Sequence, residues 1–108
     1  MKRGDIVVVA ARGAFTGKPR PALVVQSDLF NDTHSSITVC PITSEVIDAP
    51  LFRVALPPGA RTGLDLPSQV MTDKIVSVPR SAVNRAVGHC DHEEIRAVAE
   101  ALSRWLDL

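Results

Sequence analysis

Gly17–Asp28 reads GKPRPALVVQSD. Its second half, PALVVQS, is a short apolar run that leads into Ser27 and Asp28, the pattern of a β-strand running into a turn. Its first half sets Arg20 between Pro19 and Pro21. Pro21 fixes its own φ and biases Arg20 toward extended backbone, so the strand opens from a rigid frame around one guanidinium. A plain surface loop has no need of that frame; a loop that must hold a cation in one place does.

Segments of the same kind lie on both sides. GDIVVVAA (4–11) is a Val-rich run opened by glycine and reads as a strand buried on both faces. SITVCPIT (36–43) is a third strand, and Pro41 near its end suits an edge or a bulge. In LFRVAL (51–56), Phe52, Val54 and Leu56 fall on one face and Arg53 and Ala55 on the other. SQVMTDKIVSVP (68–79) reads as one or two strands, and RSAVNRAVGHC (80–90) as a turn and a short final strand. Gly, Pro and polar residues punctuate the connections RGAFTGKPR (12–20), DLFNDTHSS (28–36), SEVIDAP (44–50) and PPGARTGLDLP (57–67).

The pattern changes after Cys90. DHEEIRAVAEALSRWLDL (91–108) carries Ile95, Val98, Ala99, Leu102, Trp105 and Leu106 on one stripe at helical spacing. Asp91 suits an N-cap, Glu94 completes a capping box, and Glu93 and Glu94 suit the positive end of the helix dipole. Five or more short strands followed by one amphipathic helix predict a mainly β fold, a small barrel or strongly bent sheet on which the helix buries its stripe.

The 108 residues fit one domain, 1–108, and 45% hydrophobic with 22% charged residues is an ordinary globular composition. Twelve basic and twelve acidic residues cancel, so total charge points to no partner. Their distribution does. Met1–Cys90 holds ten Lys/Arg against seven Asp/Glu, and Asp91–Leu108 holds two against five. That split suits a cationic face for phosphates with an acidic tail elsewhere, although clumping on a neutral surface gives the same count. MKRGD is not a signal-peptide start, and no apolar run is long enough to span a bilayer. Cys40 and Cys90 follow no metal spacing and read as free thiols of a cytosolic protein.

Several chemistries find no motif. His89, Cys90 and His92 lie close together in GHCDH, but no further zinc ligand stands at suitable spacing, and exposed histidines beside a buried cysteine are the more ordinary reading. G-x-S-x-G, G-x-G-x-x-G and Walker patterns are absent, which argues against a large cofactor. Phe15, Phe30, Phe52 and Trp105 are the only aromatics, too few for a base-stacking platform, and Phe52 and Trp105 read as core. What remains is a set of phosphate-binding side chains at strand ends: the framed Arg20, Thr43 and Ser44 closing SITVCPITS, and Gln69, Asp73 and Lys74 in SQVMTDK. A guanidinium fork matches two phosphate oxygens, and a neighbouring hydroxyl adds a further donor.

These residues also resemble a family. The order KRGDIVVV, RPALVVQSD, TVCPITS, LPSQVMTDKI and a closing helix is similar to the MazF/PemK (Kid) toxins of bacterial type II toxin–antitoxin systems, over nearly the whole chain. The resemblance implies an SH3-like small barrel of five to seven short strands with a C-terminal helix, usually a homodimer. It implies a cytoplasmic, metal-independent endoribonuclease that uses no cofactor and cuts single-stranded RNA, mostly mRNA, at short sequences. It also implies neutralisation by an antitoxin whose acidic, disordered tail covers the active groove. Residue by residue, Arg20 matches the central catalytic arginine, Thr43 the threonine of the ITS motif, and Asp73 an acidic position, a candidate base. Lys18, Gln26, Ser44, Gln69 and Lys74 are the RNA-binding candidates. Met71 stands where the PemK/Kid branch has Arg, and RGAFTGKP lacks that branch's histidine, which favours the MazF-like Arg/Thr pair.

Two other readings compete. A CcdB-like gyrase poison shares the fold type and uses a tryptophan near its C-terminus, as Trp105 is here, but lacks the RPALVV and PITS pair. A non-catalytic SH3-like binding module is compatible with composition, although a chain without tyrosine is poor in the exposed aromatics such a surface needs.

Overall fold

The computed structural model describes residues 1–10 and 18–108. Seven strands form in chain order: β1 (Asp5–Val9), β2 (Arg20–Val24), β3 (Ser36–Thr43), β4 (Arg53–Leu56), β5 (Ser68–Met71), β6 (Val76–Pro79) and β7 (Val83–His89). A one-turn helix, α1 (Asp28–Asn31), follows β2, and α2 (His92–Leu106) closes the chain. Short 3-10 turns separate β5 from β6 and β6 from β7. Every strand pairing is antiparallel, in the order β4–β5–β3–β2–β1–β7, with β6 also on β3. The two ends, β4 and β7, are not laddered together, so the sheet is bent and not a closed barrel.

The bend is built around β3. On one side β3 pairs with β2. On the other, Ser36–Val39 pairs with β6, and Ile42–Thr43 pairs with β5. Pro41, which has no N–H to give, falls in the gap between those two ladders. The expected edge or bulge is thus a seam in mid-sheet, where the strand changes partners.

Alternation along the central strands makes two apolar layers, because successive side chains leave opposite faces. Val7, Val9, Ala22, Val24, Ile37, Val39 and Val78 fill one. Ile6, Leu23, Cys40, Ile42, Leu56, Leu64, Val70, Cys90 and Val98 fill the other. This is the two-sided burial expected of GDIVVVAA.

Helix α2 lies against the second layer, packing on β4 and on the 3-10 turn of Thr72–Lys74. Its capping box forms as expected: the Asp91 carboxylate accepts from Glu94 N, and the Glu94 carboxylate from Asp91 N, both at 2.8 Å. The stripe is shifted from the expected one. Val98 and Ala101 are buried, while Ile95 and Leu102 pack partly buried. Trp105 is a correction: it is 51% exposed, touching Phe52 at a centroid distance of 5.9 Å. The last turn meets the start of β4 and the loop before it through that ring pair and through Arg104 Nε, which donates to Leu51 O at 3.0 Å.

Candidate active site

A cleft of about 630 Å³ is bounded by residues of β1, β2, β3, β5 and β7. Arg20, at the first position of β2 opposite Val9, lines it, and so do Thr43 and Ser44 at the end of β3. The residues paired by sequence pattern are therefore brought to one cleft by two strands that are neighbours in the sheet.

Thr43 is oriented by its own backbone. Its Oγ1 accepts from Glu45 N at 3.1 Å, a local side-chain turn that leaves the hydroxyl proton unspent. The segment after it is braced from below. Gln69 Oε1 accepts from Arg53 Nη1 at 2.8 Å and from Ile47 N at 3.2 Å. Gln69 Nε2 donates to Ile47 O at 2.9 Å, and Arg53 Nη1 also donates to Glu45 O at 3.1 Å. Arg20 differs: among the described residues its guanidinium has no hydrogen-bond or ion-pair partner, and the side chain is exposed.

Gly63, Leu64, Asp65 and Leu66 form the opposite wall. Thr62 Oγ1 donates to Pro57 O at 2.8 Å, and Gly63 N to Gly59 O at 2.8 Å, which curls this loop on itself. The loop docks on β7 backbone to backbone. Gly63 has φ +71°, and a Cβ there would meet Val87 O at 2.3 Å. Arg61 completes the docking with a bidentate pair to Glu94, at 2.7 and 3.0 Å, and a bond to His89 O at 3.0 Å.

Other expected site residues lie outside the cleft. Gln69 is buried and braces the segment after Thr43. Gln26 holds Thr38 N through its Oε1 at 3.1 Å. Asp73 sits in the 3-10 turn beneath α2, where its charge adds to the burial that pushes the Cys40 thiol up to about 12. Lys18 and Lys74 are exposed and do not line the cleft. Arg12, Phe15 and the missing-histidine segment lie outside the described residues, save for Lys18 and the proline after it. Conversely, the cleft holds charged residues that sequence reasoning passed over: Glu45, Asp65 and Arg85. Nothing local marks Arg85; only the pairing of β7 with β1 brings it here. His89 and His92 are exposed beside buried Cys90, whose thiol burial also pushes up to about 12. Among the described residues no three His, Cys, Asp or Glu converge as metal ligands.

Residues 2–106 match the sequence model of the PemK-like, MazF-like toxins of type II toxin–antitoxin systems. The chain belongs to that family. It is 44% identical, over its full length and 98% of the relative, to a probable endoribonuclease MazF of Mycolicibacterium smegmatis. It is 28% identical, over its full length and 96% of the relative, to endoribonuclease EndoA of Bacillus subtilis. Among solved structures, the Mycobacterium tuberculosis toxin MazF-mt6 superposes with a TM-score of 0.83 at 26% identity, covering 96% of this chain and 97% of that one. A MazE–MazF complex from Deinococcus radiodurans shares the fold, with a TM-score of 0.81 at 24% identity and coverage of 100% and 96%. Neither a gyrase poison nor a binding module without catalysis is among these matches, so those two readings find no support.

Proposed function

We propose that this MazF-family toxin is an endoribonuclease that cuts single-stranded RNA, chiefly mRNA, in the cleft between Arg20 and Thr43. The single observation that carries the reading is that these two side chains, from different strands, line one open cleft with their donors unspent among the described residues.

The reaction needs little more from the protein than placed charge. The substrate's 2′-oxygen attacks the adjoining phosphorus in line and gives up its proton to water. The bond from phosphorus to the 5′-oxygen breaks, and that oxygen takes a proton from water. The products are a 2′,3′-cyclic phosphate and a free 5′-hydroxyl. The Arg20 fork stabilises the charge that grows on the phosphoryl oxygens and donates toward the leaving oxygen. Thr43 donates to a phosphoryl oxygen, and Ser44 lies beside it to hold the RNA. Asp73 receives no proton-transfer role in this scheme, because it lies outside the cleft; Gln69 supports the loop after Thr43 without touching RNA.

Residues 1–108 act as one toxin domain, active as a homodimer in the cytoplasm, where mRNA is found. An antitoxin of the MazE kind, present in the complex of the Deinococcus radiodurans relative, neutralises it by laying an acidic segment over the same cations. The test is incubation of the purified protein with a mixed RNA pool in EDTA, followed by mapping of ends. Cuts bearing 5′-hydroxyls are expected, and a 2′-deoxy nucleotide at the cut site should block them. No cleavage, or cleavage only after metal is restored, would contradict the reading.

A further inference from the structure

The described arginines divide cleanly by what their guanidinium groups do. Arg53 donates to Glu45 O and Gln69, Arg61 to Glu94 and His89 O, Arg80 to His34 O and Asn31 O, and Arg104 to Leu51 O. These four are committed to the fold. Arg3, Arg20, Arg85 and Arg96 make no side-chain hydrogen bond or ion pair among the described residues. Of these, only Arg20 and Arg85 line the cleft.

The backbone beneath Arg85 is irregular. Val7 pairs with Ala86 and Val9 with Val83, so the single residue Val8 of β1 faces both Asn84 and Arg85 of β7. A second shift lies between the pairs Ile6–Gly88 and Val7–Ala86. Such bulges re-aim side chains and recur beside active sites. Val8, opposite the first bulge, and Val87, within the second, both line the cleft as Arg85 does. Two unpaired guanidinium groups sharing one cleft repel each other, and a polyanion across both relieves that repulsion.

We propose that Arg85 is a second phosphate-contacting residue, gripping a backbone phosphate of the RNA adjacent to the one that Arg20 addresses. The inference rests on the reading of the cleft as an RNA site. It gives the substrate two fixed points along its backbone, one at the reacting phosphate and one beside it, and so sets the direction in which the strand runs.

The test separates binding from cleavage. The probe is a single-stranded RNA of mixed sequence, 2′-O-methylated throughout, which the chemistry above cannot cut. Each phosphate contact on a single strand contributes about 0.7 to the slope of log affinity against log salt. Arg85→Gln should make that slope shallower by about 0.7, Arg85→Lys should preserve it, and Arg96→Ala, on the exposed face of α2, should leave it unchanged. On unmodified RNA, Arg85→Gln should lower kcat/KM by about ten- to a hundredfold, the size of one lost charged hydrogen bond. An Arg85→Gln protein with wild-type salt slope and kcat/KM overturns the inference even if Arg20→Ala is inactive. A wild type that cuts no RNA but binds the probe with an Arg85-dependent slope overturns the proposed function and upholds the inference. Failure to bind the probe at low salt overturns the inference as well.

Discussion

Thr43 shows how a single side chain can be tuned by two bonds, one made and one withheld. Its oxygen is occupied by Glu45 N–H, so rotation of the hydroxyl is restrained and the proton is left for a ligand. Thr43→Ser keeps both roles and should retain most cleavage. Thr43→Val keeps the shape and removes the donor, and should slow cleavage by about a hundredfold with little change in the unfolding midpoint. Rates and urea unfolding curves of the two variants check this. Arg20 and Thr43 were legible in the sequence because their neighbours advertise them, Pro19 and Pro21 in one case and a strand-ending ITS in the other. Asp73 and Gln69 sit in an equally suggestive string, but Asp73 falls in the 3-10 turn that packs on α2 and Gln69 spends its amide on Ile47 and Arg53, both facts of tertiary packing.

The wall loop and the closing helix are the elements that give the cleft its shape. Gly63 must adopt a left-handed φ and sit against the Val87 carbonyl, so no side chain fits. Gly63→Ala should cost at least about 1–3 kcal/mol in urea unfolding from strained backbone alone, and should also reduce cleavage because the same loop lines the site. Asp91→Ala removes the N-cap of α2 and should cost about 1 kcal/mol in the same assay, with cleavage retained. The helix and its capping box could be read directly from the period of apolar residues and the Asp91/Glu94 spacing. Which turns of the stripe find a partner could not, because that depends on how the helix lands on β4 and the 3-10 turn after β5. Trp105 is apolar, correctly spaced and yet half exposed for this reason. The strand of Ser36–Thr43 was readable in full, whereas the bulges of β7 are visible only through its register with β1.

For the whole molecule, the bent seven-stranded sheet does two things at once: it splits its apolar residues into two layers and gathers strand ends around one cleft. Cys40 and Cys90 belong to one of those layers, and burial raises both thiols to about 12. A thiol that keeps its proton longer in the folded state than in the unfolded one weakens the fold as pH rises. Stability should be flat below about pH 9 on this count, and should fall from there toward 12 as the unfolded chain loses protons the folded one retains. The chain has no tyrosine to obscure that range. Urea unfolding at stepped alkaline pH should show the decline, and a Cys40→Ala/Cys90→Ala variant should show less of it. The fold class was within reach of the sequence because strand count and helix period are local properties. That the sheet stays open, and that β7 contributes Arg85 to the cleft, depends on pairings between residues far apart in the chain.

The most direct measurement is the single-turnover rate of RNA cleavage, in EDTA, by wild-type protein and Arg20→Ala matched for circular dichroism and unfolding midpoint. The expected result is a loss of about a hundredfold or more in the variant with its fold intact. An Arg20→Ala protein that cuts RNA at the wild-type rate would contradict the placement of the chemistry in this cleft.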